Sequence, residues 1–425
     1  MPAKEGDIVK IITKDEEFQG ILMPRPELLD TNITVIKLES GYNIGIEKKK
    51  IKEIKVLEKC KKVKPKKIKL KTNKKLPNIT IISTGGTISS RVDYTTGAVH
   101  ADYSAEDFVA MCPELQNIAN IKAKQLMLKM SEDFNPDDWI NIAKTVEKEL
   151  KHSDGIIITQ GTDTLHYTTA ALSFFLKNLK KPVIVTAAQR SIDRGSSDAF
   201  MNLICSAKAA TSDIAGVMSC LHGTTSDDYC LLIKGTKVRK MHTSKRDAFR
   251  PINDLPIAKV YSDKIEKTSE YNKKSTGTCI LDAKFENNIG LIQIHPGIKP
   301  SIIEHYITKG YKGLIIAATA LGHMPTEGKD SLIPVLEKAI DKGIIIVIAS
   351  QTLYGRVHPY VYTNLRKLSM QLKSIFVEDM LPETAYVKLG WVLAHTTKLD
   401  KVREMMLDNF AGEITTRTLK DTFLY

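Results

Sequence analysis

The chain has 425 residues, 42% of them hydrophobic and 26% charged. That is the composition of an ordinary globular protein too long for one small core, so two or three domains are expected. The net charge of +13 is local, because ten lysines and no acid fall between Lys59 and Lys75; a basic balance spread over a whole nucleic-acid-binding domain is therefore excluded. Met1 to Asp7 lack the apolar core of a signal peptide, and no apolar run approaches the roughly 20 residues a membrane helix needs. Six cysteines (60, 112, 205, 220, 230 and 279) are scattered without a Cys-x-x-Cys pair. Their spacing argues against a zinc site or a disulfide framework and suits a reducing cytoplasm.

Residues 1–55 are expected to form a small β-barrel-like module. Gly6–Ile12, Phe18–Pro24, Ile33–Leu38 and Asn43–Ile46 read as short strands separated by turn residues, and the last leads into Lys48–Ile54. Residues 56–76 are a basic linker. A self-repelling solvated segment is one reading of it, and a strip that contacts RNA phosphates without sequence preference is the other. The scarcity of aromatic residues there argues against base stacking.

From residue 77 strands alternate with helical stretches, the signature of a doubly wound α/β domain over 77–260. Ile79–Ile82 reads as a buried strand. A helix is expected from the Asn135 cap and Pro136 to about His152, then a strand at Gly155–Ile158. Another helix follows over Thr164–Asn178, a strand over Pro182–Thr186, and a helix over Met201–Ala210 begun by Ser196-Ser197-Asp198, with Asp198 assisting its first turn. Arg250 to Asn288 is poor in apolar periodicity, and 261–288 is expected to be a connection. A second, smaller α/β domain over 289–425 has strands near Gly290–Ile294, Gly313–Ala318 and Gly343–Ile348, and ends with an amphipathic helix over Thr384–Leu393.

Two expected strands each run into a threonine-bearing turn: Ser83-Thr84-Gly85-Gly86-Thr87-Ile88 and Thr159-Gln160-Gly161-Thr162-Asp163-Thr164. If the strands are parallel neighbours, both turns lie at the carboxyl edge of one sheet, where open α/β proteins place ligands. Hydroxyls, a carboxylate and glycines at such an edge suit attack on an acyl carbon. The full glycine-rich pattern of a nucleotide loop is absent. The strip Lys237-Val238-Arg239-Lys240-Met241-His242-Thr243 supplies amines, and a neutral amine beside a threonine can take its proton. Spacing alone does not say which lysine turns inward. His152, His166, His222, His242 and His295 share no metal-ligand spacing, so no metal is expected. Cys205, Cys220 and Cys230 have no partner base and read as structural thiols.

These segments resemble the L-asparaginase and glutaminase family of the two-domain, bacterial type, from about Leu76 to the C-terminus. The resemblance rests on Thr84–Ile88, Gln160–Thr164 and Val238–Thr243, supported by Ser131-Glu132-Asp133, Thr186–Arg190, Asp379-Met380 and Val387–Leu389. It implies that Thr87 is the primary nucleophile, on a mobile loop with Tyr94 nearby. Thr162, Asp163 and Lys240 would form a second group, with Lys240 tuning Thr162, and Asp163 orienting the lysine or holding the substrate α-amino group. Ser131 and Glu132 fall where the family holds the α-carboxylate and α-amino group. Many relatives have an uncharged residue at the position of Glu132, although a carboxylate there is compatible with binding an ammonium. Backbone amides around Gly86 and Gly161 are candidate oxyanion donors.

A β module ahead of an asparaginase, joined by a basic linker, resembles the D-subunit family of archaeal glutamyl-tRNA(Gln) amidotransferases. That resemblance implies release of ammonia from glutamine or asparagine, and use of it by a separate E-type partner on tRNA-bound glutamate. It places ATP and Mg at the partner, no cofactor on this chain, tRNA(Gln) in the complex, and a homodimer core within a heterotetramer in the cytoplasm. A free-standing L-asparaginase with an added module is the alternative. An RNA-binding protein on a degenerate amidase scaffold is a third, disfavoured because Thr87, Thr162, Asp163 and Lys240 are all present.

Overall fold

The structure is a computed structural model that describes residues 2–23, 32–39, 43–59, 72–92, 99–101, 112–192 and 197–425. The lysine-rich stretch from 60 to 71 lies outside the described residues. The N-terminal module is a five-stranded antiparallel sheet of Ile8–Thr13, Glu17–Met23, Ile33–Lys37, Asn43–Glu47 and Ile51–Glu58. Its edge strands are Asn43–Glu47 and Ile51–Glu58, joined by the single turn Lys48–Lys50. A flat sheet of this size would hold its edges about 19 Å apart at the usual strand spacing. One 3₁₀ turn advances only about 2 Å per residue, so the sheet has to curl. Val9, Ile11, Ile36 and Ile46 fill its inside.

The first α/β unit is built on a nine-stranded sheet. Its parallel part runs, in space, Ile214–His222, Pro182–Thr186, Gly155–Thr159, Asn78–Gly85, Asn120–Lys129. In chain order that is 5-4-3-1-2, so the order reverses between Asn78–Gly85 and Gly155–Thr159. Ligands of open α/β sheets sit at that switch point, beyond the carboxyl ends of the strands. Gly155–Thr159 and Pro182–Thr186 are buried throughout, as expected for strands covered by helices on both faces.

The helix Pro136–Leu150 begins with a capping box. Asn135 Oδ1 accepts from the amides of Asp137 and Asp138 (3.0 and 3.3 Å), and Asp138 Oδ2 accepts from the Asn135 amide (2.9 Å). Lys129 Nζ donates to both Asp138 oxygens (3.0 and 2.8 Å). The strand end and the helix start are thus tied together, which fixes the intervening turn Ser131–Asp133.

Three expectations change. The helix expected to reach Asn178 is Leu165–Phe175; Leu176–Lys177 then peels away to pair with Ile280–Leu281, and Asn178 takes φ +54°, outside helical space. Asp198 precedes the helix Ala199–Ala210 but does not cap it. Its carboxylate accepts from the Gln189 and Arg190 amides (3.0 and 3.1 Å) and from Asn202 Nδ2 (3.3 Å), pinning the loop after Thr186. The stretch read as a connection is partly sheet. Ala258–Val260 and Ile265–Lys267 extend the sheet edge, and Asn272–Lys273 pairs with Ile214–Ala215. Strands of two or three residues are too short to show a period.

The second unit is a parallel sheet ordered Ile289–Gln293, Gly313–Ala318, Ile345–Ser350, Ile375–Phe376. The helix Pro382–Leu393 is buried at every residue but Tyr386, so it is not amphipathic. It lies between Leu165–Phe175 of the first unit and Gly313–Ala318 of the second, and has no face left for water. Among the described residues, no helix is long and apolar enough to cross a membrane.

Candidate active site

The two threonine turns leave adjacent parallel strands, with Ser83 directly opposite Thr159. Gly85 and Gly86 have φ +104° and +77°, a conformation that side chains resist. Gly86 also has no room for one. A Cβ there would fall 2.1 Å from the Gly161 nitrogen and 2.3 Å from its Cα. The backbones of the two loops therefore touch, and only glycine permits the approach. Thr84 Oγ1 ties them again by donating to the Thr159 carbonyl (2.9 Å). Thr87 follows at once in a single 3₁₀ turn, half-buried, and its hydroxyl makes no hydrogen bond among the described residues.

A third loop closes the arrangement. A Cβ on Gly161 would lie 2.7 Å from Ser131 Oγ and 2.8 Å from Ser131 Cβ. Ser131 Oγ accepts from the Asp163 amide (3.1 Å), and the Ser131 carbonyl accepts from Thr164 Oγ1 (2.6 Å). Glu132 is exposed on the same turn and forms no ion pair among the described residues. Tyr94 lies outside the described residues.

Of the two lysines in the basic strip, both turn inward, to different partners. Lys240 Nζ lies 2.8 Å from Thr162 Oγ1 and 2.7 Å from Asp163 Oδ1. Thr162 Oγ1 is itself 3.4 Å from Asp163 Oδ1. The lysine side chain is 10% exposed and the aspartate side chain 59%, so the amine is enclosed against the hydroxyl while the carboxylate opens outward. Hydroxyl, amine and carboxylate thus stand within hydrogen-bond reach of one another, the arrangement by which a neighbouring base activates a threonine. Among the described residues, no group of three or more His, Cys, Asp or Glu is disposed to hold a metal ion.

The sequence motifs did not show how several of their residues pair. Lys237 and Asp379, both fully enclosed, pair at 2.7 Å. Burial pushes the Lys237 ammonium down from its ordinary range, with Asp379 opposing that shift. Arg239 donates from Nε and Nη2 to Glu383 Oε1 (2.9 and 2.7 Å). These partners are about 140 residues apart in the chain, beyond the reach of any local pattern. His166, one turn after Asp163, read as a bland histidine. It is half-buried beside Glu383, Arg239, Lys240 and Asp163, and loss of solvation pushes its imidazole down to about 4.

His166 makes a test possible. The unfolded chain takes up this proton as pH falls through about 6.5, whereas the folded chain resists until about 4. The associated stability is complete above pH 6.5 and is lost as pH falls through that window. The loss amounts to about 3 kcal/mol. Denaturant unfolding at pH 7.5 and pH 4.5 should show a smaller pH difference for His166→Gln than for the parent. Equal differences would contradict the assignment.

Comparison with known proteins matches residues 78–273 to the model "Asparaginase, N-terminal", 288–406 to "Glutaminase/Asparaginase C-terminal domain" and 3–57 to "GatD N-terminal domain". The D subunit of glutamyl-tRNA(Gln) amidotransferase from Pyrococcus furiosus is 52% identical over 429 residues, covering 99% of this chain and 97% of that protein. The corresponding D subunit from Thermococcus kodakarensis is 49% identical, with 99% and 96% covered. Among solved structures, the thermostable L-asparaginase from Thermococcus kodakarensis superposes with a TM-score of 0.73 at 29% identity. That superposition covers 80% of this chain and 100% of that one.

Proposed function

The chain belongs to the D-subunit family of glutamyl-tRNA(Gln) amidotransferases, built on asparaginase-type domains, and on that premise we propose that it releases ammonia from glutamine through an acyl-threonine intermediate. Thr87 Oγ attacks the side-chain amide carbon, the C–N bond breaks, and the threonine proton leaves with ammonia. Water then cleaves the ester to glutamate and restores the hydroxyl. Thr162 and Lys240 move the proton, Asp163 holds the lysine, and Ser131 with Glu132 binds the α-carboxylate and α-ammonium, with Tyr94 a further substrate-binding residue. The observation that carries this reading is Lys240 Nζ 2.8 Å from Thr162 Oγ1, in a loop whose Gly161 is packed on the Gly86 that precedes Thr87.

The ammonia is consumed by an E-type partner that activates the glutamate of Glu-tRNA(Gln) with ATP and Mg. This chain supplies no cofactor and sits as a homodimer core within a heterotetramer. Residues 3–57 favour a member of a complex over an independent asparaginase, because they match a D-subunit module outside both asparaginase domains. Free ammonia is protonated in water, so direct transfer to a partner in a dry path preserves it.

The test is the glutaminase rate of the full chain alone and with its partner and Glu-tRNA(Gln). The rate should be low alone and rise when the charged tRNA is present. Removing residues 1–75 should impair that rise more than basal hydrolysis. Full-speed turnover of free asparagine by the isolated chain, with no second protein bound, would replace this reading with an independent asparaginase.

A further inference from the structure

Thr87 and Thr162 inherit their relative position from neighbouring parallel strands in one sheet. Lys240 does not. It ends the strand Val238–Lys240, which among the described residues pairs with Phe249–Pro251 in a separate two-stranded ribbon outside the large sheet. Sheet register therefore says nothing about how far its amine stands from Thr162. Val238 and Phe249 pack into the core and Arg250 Nη1 donates to the Gly223 carbonyl (3.1 Å), but the ion pairs and several hydrogen bonds that hold the ribbon come from the second domain. Lys237 and Arg239, alternate residues that face the same way, pair with Asp379 and Glu383. Thr384 Oγ1 donates to the Thr236 carbonyl (3.0 Å), and Thr236 Oγ1 donates to the Ala411 carbonyl (3.1 Å). On the partner strand's side, Asn253 Nδ2 donates to the Asp379 carbonyl (3.1 Å).

We propose that Arg239 and Glu383 are positioning residues for Lys240: through them the second domain sets the distance between the Lys240 amine and the Thr162 hydroxyl. Arg239 aims two donors, Nε and Nη2, at the single oxygen Oε1 of Glu383, which fixes a direction as well as a distance, as a lysine could not. The Lys237–Asp379 pair anchors the strand's entrance. A buried ion pair is a poor way to add stability compared with apolar packing, yet a good way to specify one register. The start of the helix Pro382–Leu393 thereby becomes part of the ammonia-releasing site without touching substrate. A rotation of the second domain would alter the site's chemistry through this tie.

This inference rests on the assignment of Lys240 to proton transfer, and the experiment separates the two. Glutamine hydrolysis by the full chain is measured for Glu383→Gln and Arg239→Gln, each in the parent and in a Lys240→Met background. In the parent, kcat should fall roughly 10- to 100-fold, as a misplacement of about 1 Å costs, with KM changed less than about twofold. Arg239→Lys should return part of the loss. In the Lys240→Met background neither change should lower kcat further, since no amine remains to misplace. Should Glu383→Gln unfold, Thr384→Val loosens the same tie without touching a charge and should lower kcat several-fold. Unchanged kcat in folded variants, or equal losses in both backgrounds, would overturn the positioning role. Normal hydrolysis by Lys240→Met itself would instead remove the assignment of Lys240.

Discussion

Thr87→Ala should lower ammonia release from glutamine by roughly 10³-fold or more, the scale expected when a nucleophile is lost. The substitution removes one hydroxyl and one methyl from a half-buried residue whose hydroxyl bonds to nothing else among the described residues. Folding should hardly change, because the contacts that place the loop belong to Gly86, Gly161 and Thr84. The loss should fall on kcat, since Ser131 and Glu132 on another loop are assigned to hold the substrate's backbone groups. Single-turnover assays with glutamine check this directly. Near-normal hydrolysis by the variant would exclude Thr87 as the attacking group.

Thr162, Asp163 and Lys240 should behave as one unit. Thr162→Val and Lys240→Met are each expected to cost roughly 10³-fold in kcat, and the double variant about the same rather than 10⁶-fold. The reason is geometric. Lys240 Nζ lies 2.8 Å from the Thr162 hydroxyl and 2.7 Å from an Asp163 oxygen, so losing either the hydroxyl or the amine disables the relay. Asp163→Asn should cost less, because its carboxylate is 59% exposed and water can replace part of its hold on the amine. Losses that simply add in log rate would mean that the three residues act separately.

The parts of this site that can be read from the sequence are those encoded locally. Ile79–Ile82 and Gly155–Ile158 are compact apolar runs ending in glycine-threonine turns, and both prove to be parallel neighbours at the switch point of the sheet. The Asn135-Pro136 helix start is equally legible, because a capping box needs only four consecutive residues. The remainder depends on distance along the chain. Nothing within reach of Lys237 or Arg239 announces a partner about 140 residues away. The helix Pro382–Leu393 reads as amphipathic and is not, because burial between two domains lets polar residues such as Lys388 point inward, where Glu413 meets it at 2.6 Å. The strands after Ala258 leave no trace in the sequence because three residues carry no period.

The same contrast separates what the asparaginase scaffold does from what this family adds. The two threonine loops, the Ser131 turn and the Lys240 strand all lie within residues 78–273. The N-terminal module carries its own small core, and among the described residues no hydrogen bond to Thr162, Asp163 or Lys240 comes from it. Its proposed service is to the partner, which is why its removal should act on coupling rather than on hydrolysis.

The central claim is that ammonia cut from glutamine at Thr87 reaches tRNA-bound glutamate. It is tested by following the amide nitrogen of ¹⁵N-labelled glutamine in the complex of this chain with its E-type partner, ATP, Mg and Glu-tRNA(Gln), in the presence of excess unlabelled ammonium. The account predicts ¹⁵N in the Gln-tRNA(Gln) product with little dilution by the free pool. It also predicts that Thr87→Ala abolishes transfer from glutamine while unlabelled ammonium still supports amidation. Product nitrogen fully diluted by the added ammonium, or undiminished ¹⁵N transfer by Thr87→Ala, would contradict it.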